Sequence, residues 1–347
     1  MDVAVVGGGF CGALVARKLQ RQPDVTVTLV DRTPFFEYTP GVHRLVCDPG
    51  RDLTLSVPIQ AFLPRARVVV GDVVQLTPGM VETEREQVSF DRAVVATGVI
   101  YPVLLDDSRD VYTLTSVTEA LALADALRDA GRMLIVGGGL IGTELAAELV
   151  EKMPHLHVTV VHSHDRLLER NPPSAARHAQ RFLERHGAHV VLGEKVVDRH
   201  GDLFVTDGGR EISADVAGWC TGISRNPDFL GGLDEVLDER NAVRVNDFLQ
   251  LPGYPHIYAG GDVTSIREEK TAQNAKRHAR VIAKNIIQDG DGVRVAYRPR
   301  PTPMVISLGS RRGILSWHGR SMDGGLPGLL KKLIRWWTLR GYRRRAI

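Results

Sequence analysis

A glycine-rich βαβ pattern occurs twice in this chain, and no other feature of the sequence restricts its fold as strongly. The first copy, residues 3–31, has a short apolar run, a glycine-rich turn, a helical pattern and a second apolar run. The second copy, residues 133–162, repeats these steps in the same order. The duplication predicts an α/β protein with two Rossmann-like dinucleotide-binding domains, one inserted in the other.

The glycine spacing within each copy has a chemical meaning. The first glycine allows a tight turn, the second lets the backbone approach a pyrophosphate, and the third lets the helix pack close to the strand. The N-terminus of the helix then offers unpaired N–H groups and a partial positive charge to the phosphates. These glycines are Gly7, Gly9 and Gly12 in the first copy and Gly137, Gly139 and Gly142 in the second.

The residue that ends the second strand differs between the two copies. Asp31 in the first copy can accept hydrogen bonds from an adenosine ribose. His162 occupies the equivalent position in the second copy, and Arg166 and Arg170 follow it closely. Because no carboxylate stands at that position to repel a 2′-phosphate, we expect the second site to accept either NADH or NADPH.

Three further segments follow the two copies in a fixed order. A strand ends in Ala96, Thr97 and Gly98, and a similar strand near residue 220 ends in Gly222. A third strand runs into Gly261 and Asp262, and residues 271–287 have helical character. The first two strand ends are typical of points at which a chain crosses between domains.

The C-terminal segment differs in charge from the rest of the chain. The formal net charge is +3, but residues 326–347 contain seven basic residues and no acidic ones, which leaves 37 basic and 41 acidic residues elsewhere. Apolar residues in this segment follow the spacing of one helical face, and Trp336 lies beside it. These apolar residues are Leu326, Leu329, Leu330, Leu333, Ile334 and Trp337.

This combination predicts an amphipathic helix, with Leu329, Leu330, Leu333, Ile334, Trp336 and Trp337 as the candidate membrane-contacting residues. Basic residues beside leucine and tryptophan suit an anionic membrane surface. Docking of the apolar face on the protein's own body or on a second subunit, which would make a homodimer, stays open. We expect no nucleic-acid partner for the arginines at 343–345.

Composition narrows the remaining classes. The chain has no apolar run of about 18 residues and no basic leader before its first apolar run, so we expect neither a membrane-spanning helix nor a signal peptide. Its three cysteines, Cys11, Cys47 and Cys220, are too far apart for a disulfide framework, and no metal-binding spacing occurs. We therefore expect a cytoplasmic protein that lies on the cytoplasmic face of the membrane.

The order of these motifs resembles that of the flavoproteins with two dinucleotide-binding domains, the FAD-dependent pyridine-nucleotide oxidoreductases. The resemblance covers about residues 1–300. It implies FAD in the first copy and NADH or NADPH in the second. It also implies that Asp262 meets the ribityl and pyrophosphate part of the flavin. The helix near Thr271 would point its N-terminus at the flavin ring, which suits the negative charge of a reduced flavin.

The candidate cofactor-binding residues follow from these motifs. Those for the flavin are Gly7, Gly9, Phe10, Cys11, Gly12, Asp31, Arg32, Val73, Ala96, Thr97, Gly98, Gly261, Asp262, Thr271 and Ala272. Those for the nicotinamide nucleotide are Gly137, Gly139, Leu140, Ile141, Gly142, His162 and Gly222.

Within this class, the branches that use paired cysteines, including disulfide reductases and sulfide:quinone oxidoreductases, do not fit three separated cysteines. The short C-terminal segment resembles type II NADH dehydrogenases and the ferroptosis suppressor proteins, which reduce quinones. The resemblance implies that Glu144 orients the nicotinamide and that Lys270 and Gln273 polarise or orient the quinone. Arg277 stands where the dehydrogenases' quinone motif has a glutamine, so this sequence departs from that motif.

We therefore expect an FAD-dependent NAD(P)H:quinone oxidoreductase. A reductase of a ferredoxin-like or rubredoxin-like protein, and a flavoprotein that senses NAD(P)H and binds through its basic tail, are the alternatives. The FAD domain is expected at residues 1–102 and 243–300, and the NAD(P)H domain at 103–242. A small cap with the membrane-surface helix is expected at 301–347, beginning with a hairpin of strands at 304–308 and 314–317.

Overall fold

The computed structural model describes residues 1–50, 55–225, 227–288 and 292–343. The strands are β1 (Asp2–Val6), β2 (Thr26–Asp31), β3 (Phe35–Glu37), β4 (Ser56–Pro58), β5 (Arg67–Val70), β6 (Val73–Leu76), β7 (Met80–Thr83), β8 (Gln87–Ser89), β9 (Arg92–Val95), β10 (Val111–Tyr112), β11 (Arg132–Val136), β12 (His157–His162), β13 (His189–Leu192), β14 (Val196–His200), β15 (Leu203–Thr206), β16 (Glu211–Ser213), β17 (Val216–Trp219), β18 (Gln250–Leu251), β19 (Tyr254–Ala259), β20 (Met304–Leu308), β21 (Arg312–Trp317) and β22 (Arg320–Gly324).

The helices are α1 (Phe10–Leu19), α2 (Ile59–Phe62), α3 (Val117–Ala126), α4 (Leu140–Lys152), α5 (Pro173–Arg185), α6 (Ala272–Ile287) and α7 (Gly325–Arg343). Within the described residues, 3-10 turns lie at Thr39–Arg44 and Asp228–Leu230.

The first large sheet contains six strands in the order β18-β19-β9-β1-β2-β5. Its pairs are parallel except for the antiparallel pair of β18 and β19 at one edge. The central strands β1 and β9 are almost wholly apolar and buried, because helices cover one face of the sheet and a smaller sheet covers the other. α1 and α6 pack against each other and share one core cluster with β1 and β2.

The second large sheet contains five parallel strands in the order β10-β17-β11-β12-β13. It repeats the arrangement of the first, because β11 occupies the place of β1 and β12 the place of β2. The duplication predicted from the sequence is therefore confirmed as two Rossmann-like sheets. Small antiparallel sheets of three strands follow each unit, β6-β7-β8 in the first and β14-β15-β16 in the second.

The C-terminal part begins with the predicted hairpin of β20 and β21, and β22 extends it to a three-stranded antiparallel sheet. α7 packs on β20 and β21, while β20 also lies against α4 of the second unit. The amphipathic C-terminal helix predicted from the sequence is present and begins at Gly325.

The strand arrangement bears on the predicted domains without testing their boundaries. β18 and β19, which follow residue 243, join the sheet of β1, as a first domain divided by the second requires. The limits at residues 102, 243 and 300 stay a prediction.

The glycine loops explain why the two units have the same shape. Gly7 has φ +101° and Gly137 φ +106°, a left-handed conformation that only glycine adopts without strain. A Cβ on Gly7 would lie 2.4 Å from the carbonyl oxygen of Ala96, and one on Gly137 would lie 2.8 Å from that of Cys220. Each turn is thus pressed against the end of a neighbouring strand.

The third glycine of each unit is packed even more tightly. A Cβ on Gly142 would lie 1.9 Å from the carbonyl oxygen of Gly137. We expect Gly142→Ala to lower the free energy of unfolding by about 3 kcal/mol or more, because backbone would have to move. Denaturant unfolding measures this change.

Gly79→Ala is the matched control, since no atom lies within 4 Å of its added Cβ. Its expected change is within about 0.5 kcal/mol. Equal stability of the two variants would contradict the close packing of the second glycine loop.

Candidate functional site

A cavity of about 470 Å³ lies where both glycine-loop helices and the C-terminal part converge. The predicted site residues that line it are Gly7, Gly9, Phe10, Cys11, Asp31, Ala96, Thr97, Gly98, Leu140, Ile141, Glu144, Gly261, Asp262, Lys270, Thr271, Ala272, Gln273 and Ile334. The cavity thus brings together residues that are far apart in sequence.

The first glycine loop fits the diphosphate of a dinucleotide. A Cβ on Gly9 would meet no atom within 4 Å, so the backbone there is open to a ligand. The backbone N–H of Gly8 donates to Asp31 Oδ2 at 2.6 Å, and that of Thr33 donates to Asp31 Oδ1 at 2.8 Å. Asp31 is therefore fixed at the end of β2 with its carboxylate beside the loop.

α6 begins at the opposite wall of the cavity. Thr271 caps this helix, because its hydroxyl accepts a hydrogen bond from the N–H of Asn274 at 3.3 Å. The backbone N–H of Gly261 donates to Nδ1 of His278 at 2.9 Å, which anchors the Gly261–Asp262 turn to α6. The positive end of the α6 dipole therefore faces the cavity, where it favours a negatively charged group.

Two of the predicted quinone contacts have backbone partners. Lys270 Nζ donates to the carbonyl oxygens of Thr264 at 2.8 Å and Ile266 at 3.1 Å, so it ties down the preceding loop. Gln273 Nε2 donates to the carbonyl oxygen of Pro303 at 3.3 Å. Both residues line the cavity.

Glu144, in the first turns of α4, is the centre of a buried polar cluster. Its Oε1 accepts hydrogen bonds from the backbone N–H of Ser307 at 2.7 Å, from the Ser307 hydroxyl at 2.8 Å and from Lys331 Nζ at 2.9 Å. Its Oε2 lies 3.8 Å from Nδ1 of His43. α4, the 3-10 turn at Thr39–Arg44, β20 and α7 thus meet at one carboxylate.

The charges of this cluster follow from its partners. Burial raises the pKa of Glu144, but Lys331, His43 and the bond from Ser307 outweigh burial and hold the pKa at about 2. Burial lowers the pKa of His43 to about 4, although Glu144 acts in the opposite direction. At neutral pH, Glu144 is therefore ionised and His43 is neutral.

Lys331 corrects one prediction. It is one of the seven basic residues of the C-terminal segment, which we expected to suit an anionic membrane, yet its ammonium points into the body and pairs with Glu144. The pairing partner lies 187 residues away in sequence, so no local pattern could reveal it. His43 and Ser307 were missed for the same reason.

Other predicted cofactor residues lie outside this cavity. Gly12 packs against Gly7 beneath the first loop, Arg32 pairs with Asp72 at 2.5 Å on the surface, and Val73 belongs to β6. The second glycine loop contains Gly137, Gly139 and Gly142, and His162 bonds to it through the N–H of Gly138. Gly222 follows Cys220 and Thr221, which lie against Gly137. Glu169 lies beside this second loop, with its Oε2 3.2 Å from His162 Nε2.

The cysteines lie in three different surroundings. Burial raises the pKa of Cys47 and that of Cys220 to about 12 each, and it raises the pKa of Cys11 further. All three are free thiols, and none has the lowered pKa of a reactive cysteine.

The exposed surface of α7 carries most of the residues predicted to meet a membrane. Leu329, Leu330, Leu333, Trp336 and Trp337 are exposed, and 77% of Trp337 is accessible. Ile334 instead lines the cavity. Arg344 and Arg345 lie outside the described residues. Across the described ranges, no helix is both long enough and apolar enough to cross a bilayer.

Comparison with known proteins gives relatives along nearly the whole chain. Ferroptosis suppressor protein 1 of Taeniopygia guttata is 29% identical over 334 residues, which cover 91% of this chain and 88% of that protein. NADH dehydrogenase-like protein YutJ of Bacillus subtilis (strain 168) is 26% identical over 358 residues, covering 96% and 97%.

The fold is similar to that of the sulfide:quinone oxidoreductase from Aquifex aeolicus, with a TM-score of 0.89 and 19% identity. That match covers 99% of this chain and 91% of the other. The model of the pyridine nucleotide-disulphide oxidoreductases matches residues 1–279, which include both glycine loops, the Gly261–Asp262 turn and the start of α6. The chain therefore belongs to the pyridine nucleotide-disulphide oxidoreductase family of flavin-dependent NAD(P)H oxidoreductases.

Proposed function

We propose that this protein is an FAD-dependent NAD(P)H:quinone oxidoreductase that works at a membrane surface. The observation that carries the proposal is the shared cavity. The first glycine loop, the N-terminus of α6, the first turn of α4 and the inner side of α7 all line it. A flavin, a nicotinamide and an electron acceptor would each meet protein groups suited to them there.

The first unit fits FAD on its own geometry. Gly9 leaves room for a diphosphate, and the α1 N-terminus behind it supplies unpaired N–H groups. Asp31 would accept hydrogen bonds from the adenosine ribose, and the α6 N-terminus would stabilise negative charge on the ring. When bound, FAD supplies the two-electron chemistry that lets a hydride donor reduce an acceptor.

The second unit would hold NADH or NADPH, with its nicotinamide end towards Leu140, Ile141 and Glu144. The Glu144 carboxylate has one saturated oxygen and one oxygen whose nearest described partner is His43 at 3.8 Å. This second oxygen can orient a carboxamide, because it can still accept a hydrogen bond. Proximity and orientation would then supply most of the rate.

The acceptor side of the cavity is apolar. Pro303, Met304, Val305 and Ile334 line it beside Gln273. Such a lining suits a quinone ring, and the Lys270 ammonium and the Gln273 amide are the candidates for its oxygens. The structurally similar protein from Aquifex aeolicus is a sulfide:quinone oxidoreductase, which supports this acceptor class.

α7 would bring the acceptor side to the membrane. Its inner side is held by Leu339 and Tyr342, which are buried, and the Tyr342 ring stacks on Phe36 at 4.0 Å between centroids. Its outer side exposes leucines and tryptophans, with Arg340 5.0 Å from the Trp336 ring centroid. Tryptophan, leucine and arginine together favour the interface of an anionic bilayer.

Reduction and reoxidation of the purified flavoprotein test the proposed function. We expect NADH or NADPH to bleach the flavin absorbance under anaerobic conditions. We expect one equivalent of a ubiquinone or menaquinone analogue to restore that absorbance. Restoration by a ferredoxin-like protein but not by quinones would favour the first alternative. Bleaching that takes hours would favour the sensor.

Vesicle flotation tests the membrane role of α7. We expect Leu329→Ser/Leu333→Ser/Trp337→Ser to weaken binding to vesicles with anionic lipid by about tenfold or more, because three interfacial side chains are lost. Leu104→Ser/Val197→Ser/Val293→Ser is the matched control, since it removes exposed apolar residues elsewhere. If the α7 variant bound vesicles as the wild type does but had a lower mass in analytical ultracentrifugation, the exposed apolar residues of α7 would form a subunit interface.

Loss of Lys331 tests the buried cluster. Lys331→Met should lower the free energy of unfolding by about 3–5 kcal/mol at neutral pH, because it leaves the Glu144 carboxylate buried without its cation. Lys332→Met, the neighbouring control, should change it by less than about 0.5 kcal/mol.

The pH dependence has a definite sign. A carboxyl whose folded pKa is about 2, below its ordinary 4.5, stabilises the fold above pH 4.5, and this stabilisation is lost as the pH falls towards 2. The loss of unfolding free energy caused by Lys331→Met should therefore become smaller as the pH falls from 4.5 towards 2. Denaturant unfolding at several pH values measures this loss. A deficit that stays constant from pH 7 to pH 2 would exclude the ion pair as its source.

A further inference from the structure

The end of the second strand is built differently in the two nucleotide units, although both ends face a glycine loop. In the first unit, Asp31 accepts directly from the N–H of Gly8 at 2.6 Å. In the second, the N–H of Gly138 donates to Nδ1 of His162 at 3.1 Å. An imidazole thus occupies the place of the carboxylate.

From this difference we infer that Glu169 is the residue that makes the second nucleotide site prefer NADH to NADPH. The inference rests on the proposed function, since it concerns the hydride donor of that reaction. The carboxylate that determines specificity would then lie on the loop after β12, and not at the usual position at the end of the strand.

The tautomer of His162 follows from its hydrogen bonds. Because Nδ1 accepts from Gly138, the neutral ring carries its proton on Nε2. Nε2 lies 3.2 Å from Oε2 of Glu169, so it donates to that carboxylate. The bond from His162 holds the pKa of Glu169 at about 2, so Glu169 is ionised at neutral pH. The His162 ring therefore lies between the glycine loop and the Glu169 carboxylate, whereas in the first unit the Asp31 carboxylate contacts the loop directly.

The loop that carries Glu169 is pinned to the glycine loop. The N–H of Leu168 donates to the carbonyl oxygen of Gly138 at 2.9 Å, and the N–H of Asn171 donates to that of Leu168 at 2.7 Å. Glu169 is therefore held beside the position at which an adenosine ribose would lie. A 2′-hydroxyl could donate to the carboxylate, whereas a 2′-phosphate would meet a like charge.

The neighbouring cations are already engaged. The Arg166 guanidinium donates to the carbonyl oxygens of Glu169 at 2.6 Å and Asn171 at 3.0 Å. Arg170 Nε lies 3.6 Å from Glu169 Oε1, and the same arginine interacts with Glu269. A phosphate would have to compete with two carboxylates for Arg170, so the arginines do not reverse the preference.

A metal site is the competing explanation for this cluster. Ligand atoms of His162, His164 and Glu169 all lie within 4.8 Å of one another. A metal on Nε2 of His162 would force the ring proton to Nδ1, where it would oppose the N–H of Gly138. The hydrogen bonds of the loop therefore favour a proton, and not a metal ion, between His162 and Glu169.

Binding of two donor fragments tests the inference without requiring catalysis. ADP-ribose and its 2′-phosphate are titrated calorimetrically into the flavin-loaded protein at one pH and ionic strength. We expect the wild type to bind ADP-ribose roughly 10-fold or more tightly than the 2′-phosphate. Glu169→Gln should narrow this ratio roughly 5- to 10-fold, because one like charge is removed.

A rescue variant distinguishes a specific role from a structural one. His162→Asp/Glu169→Gln places a carboxylate at the strand end as in the first unit, and it should restore the preference for ADP-ribose. Glu211→Gln, on β16 of the same unit, is the matched charge control and should leave the ratio unchanged.

Equal binding of both fragments by the wild type, or a ratio unaffected by Glu169→Gln, would overturn the inference. If either variant lost flavin or folded stability, the ratio for Glu169→Asp, which keeps the charge, would decide: a retained preference supports the inference and a lost one opposes it. A wild type that binds neither fragment would contradict the second nucleotide site, and with it the proposed function. A normal preference without quinone turnover would contradict only the proposed acceptor.

Discussion

The close approach of each glycine loop to the end of a neighbouring strand is the constraint on which the remaining architecture depends. The carbonyl oxygens of Ala96 and Cys220 occupy space that any side chain on Gly7 or Gly137 would need. This packing fixes the N-termini of α1 and α4 at the carboxyl ends of β1 and β11. The positive end of each helix dipole therefore lies at a glycine loop, where it favours a diphosphate, and in the proposed function the cavity would hold the two reacting rings.

Much of this arrangement could be predicted because its determinants are local. Glycine spacing, apolar strands and helical periodicity act over fewer than 35 residues, and they identified both units, the Gly261–Asp262 turn and α7. The Lys331–Glu144 pair could not be found this way, because it joins α4 to a helix 187 residues later. The helical periodicity places Lys331 outside the apolar face of α7, a position that is usually exposed to solvent. Lys331 instead lies on the inner side of α7, where it pairs with Glu144.

Glu169 illustrates a second limit of sequence reasoning. The strand-end rule examines one position, and at His162 that position lacks a carboxylate. The nearby carboxylate of Glu169 belongs to a loop that folds back and bonds to Gly138 through its own backbone. His162 accepts a hydrogen bond from the N–H of Gly138 and donates one to Glu169, so it links the glycine loop to that carboxylate. We infer that the loop, and not the strand end, carries the charge that selects the nucleotide, and the strand-end rule does not examine that loop.

The two sides of α7 carry different constraints, and together they restrict how the protein can meet a membrane. The inner side supplies the cation that keeps the buried Glu144 carboxylate paired, and separating the two would cost several kcal/mol. The outer side exposes the apolar residues that would enter a bilayer. In the proposed function, α7 must therefore bind lipid while it stays docked on the body. Docking then holds the wall formed by Ile334 and Val305 close to the membrane surface, and a quinone would reach the cavity without crossing bulk water.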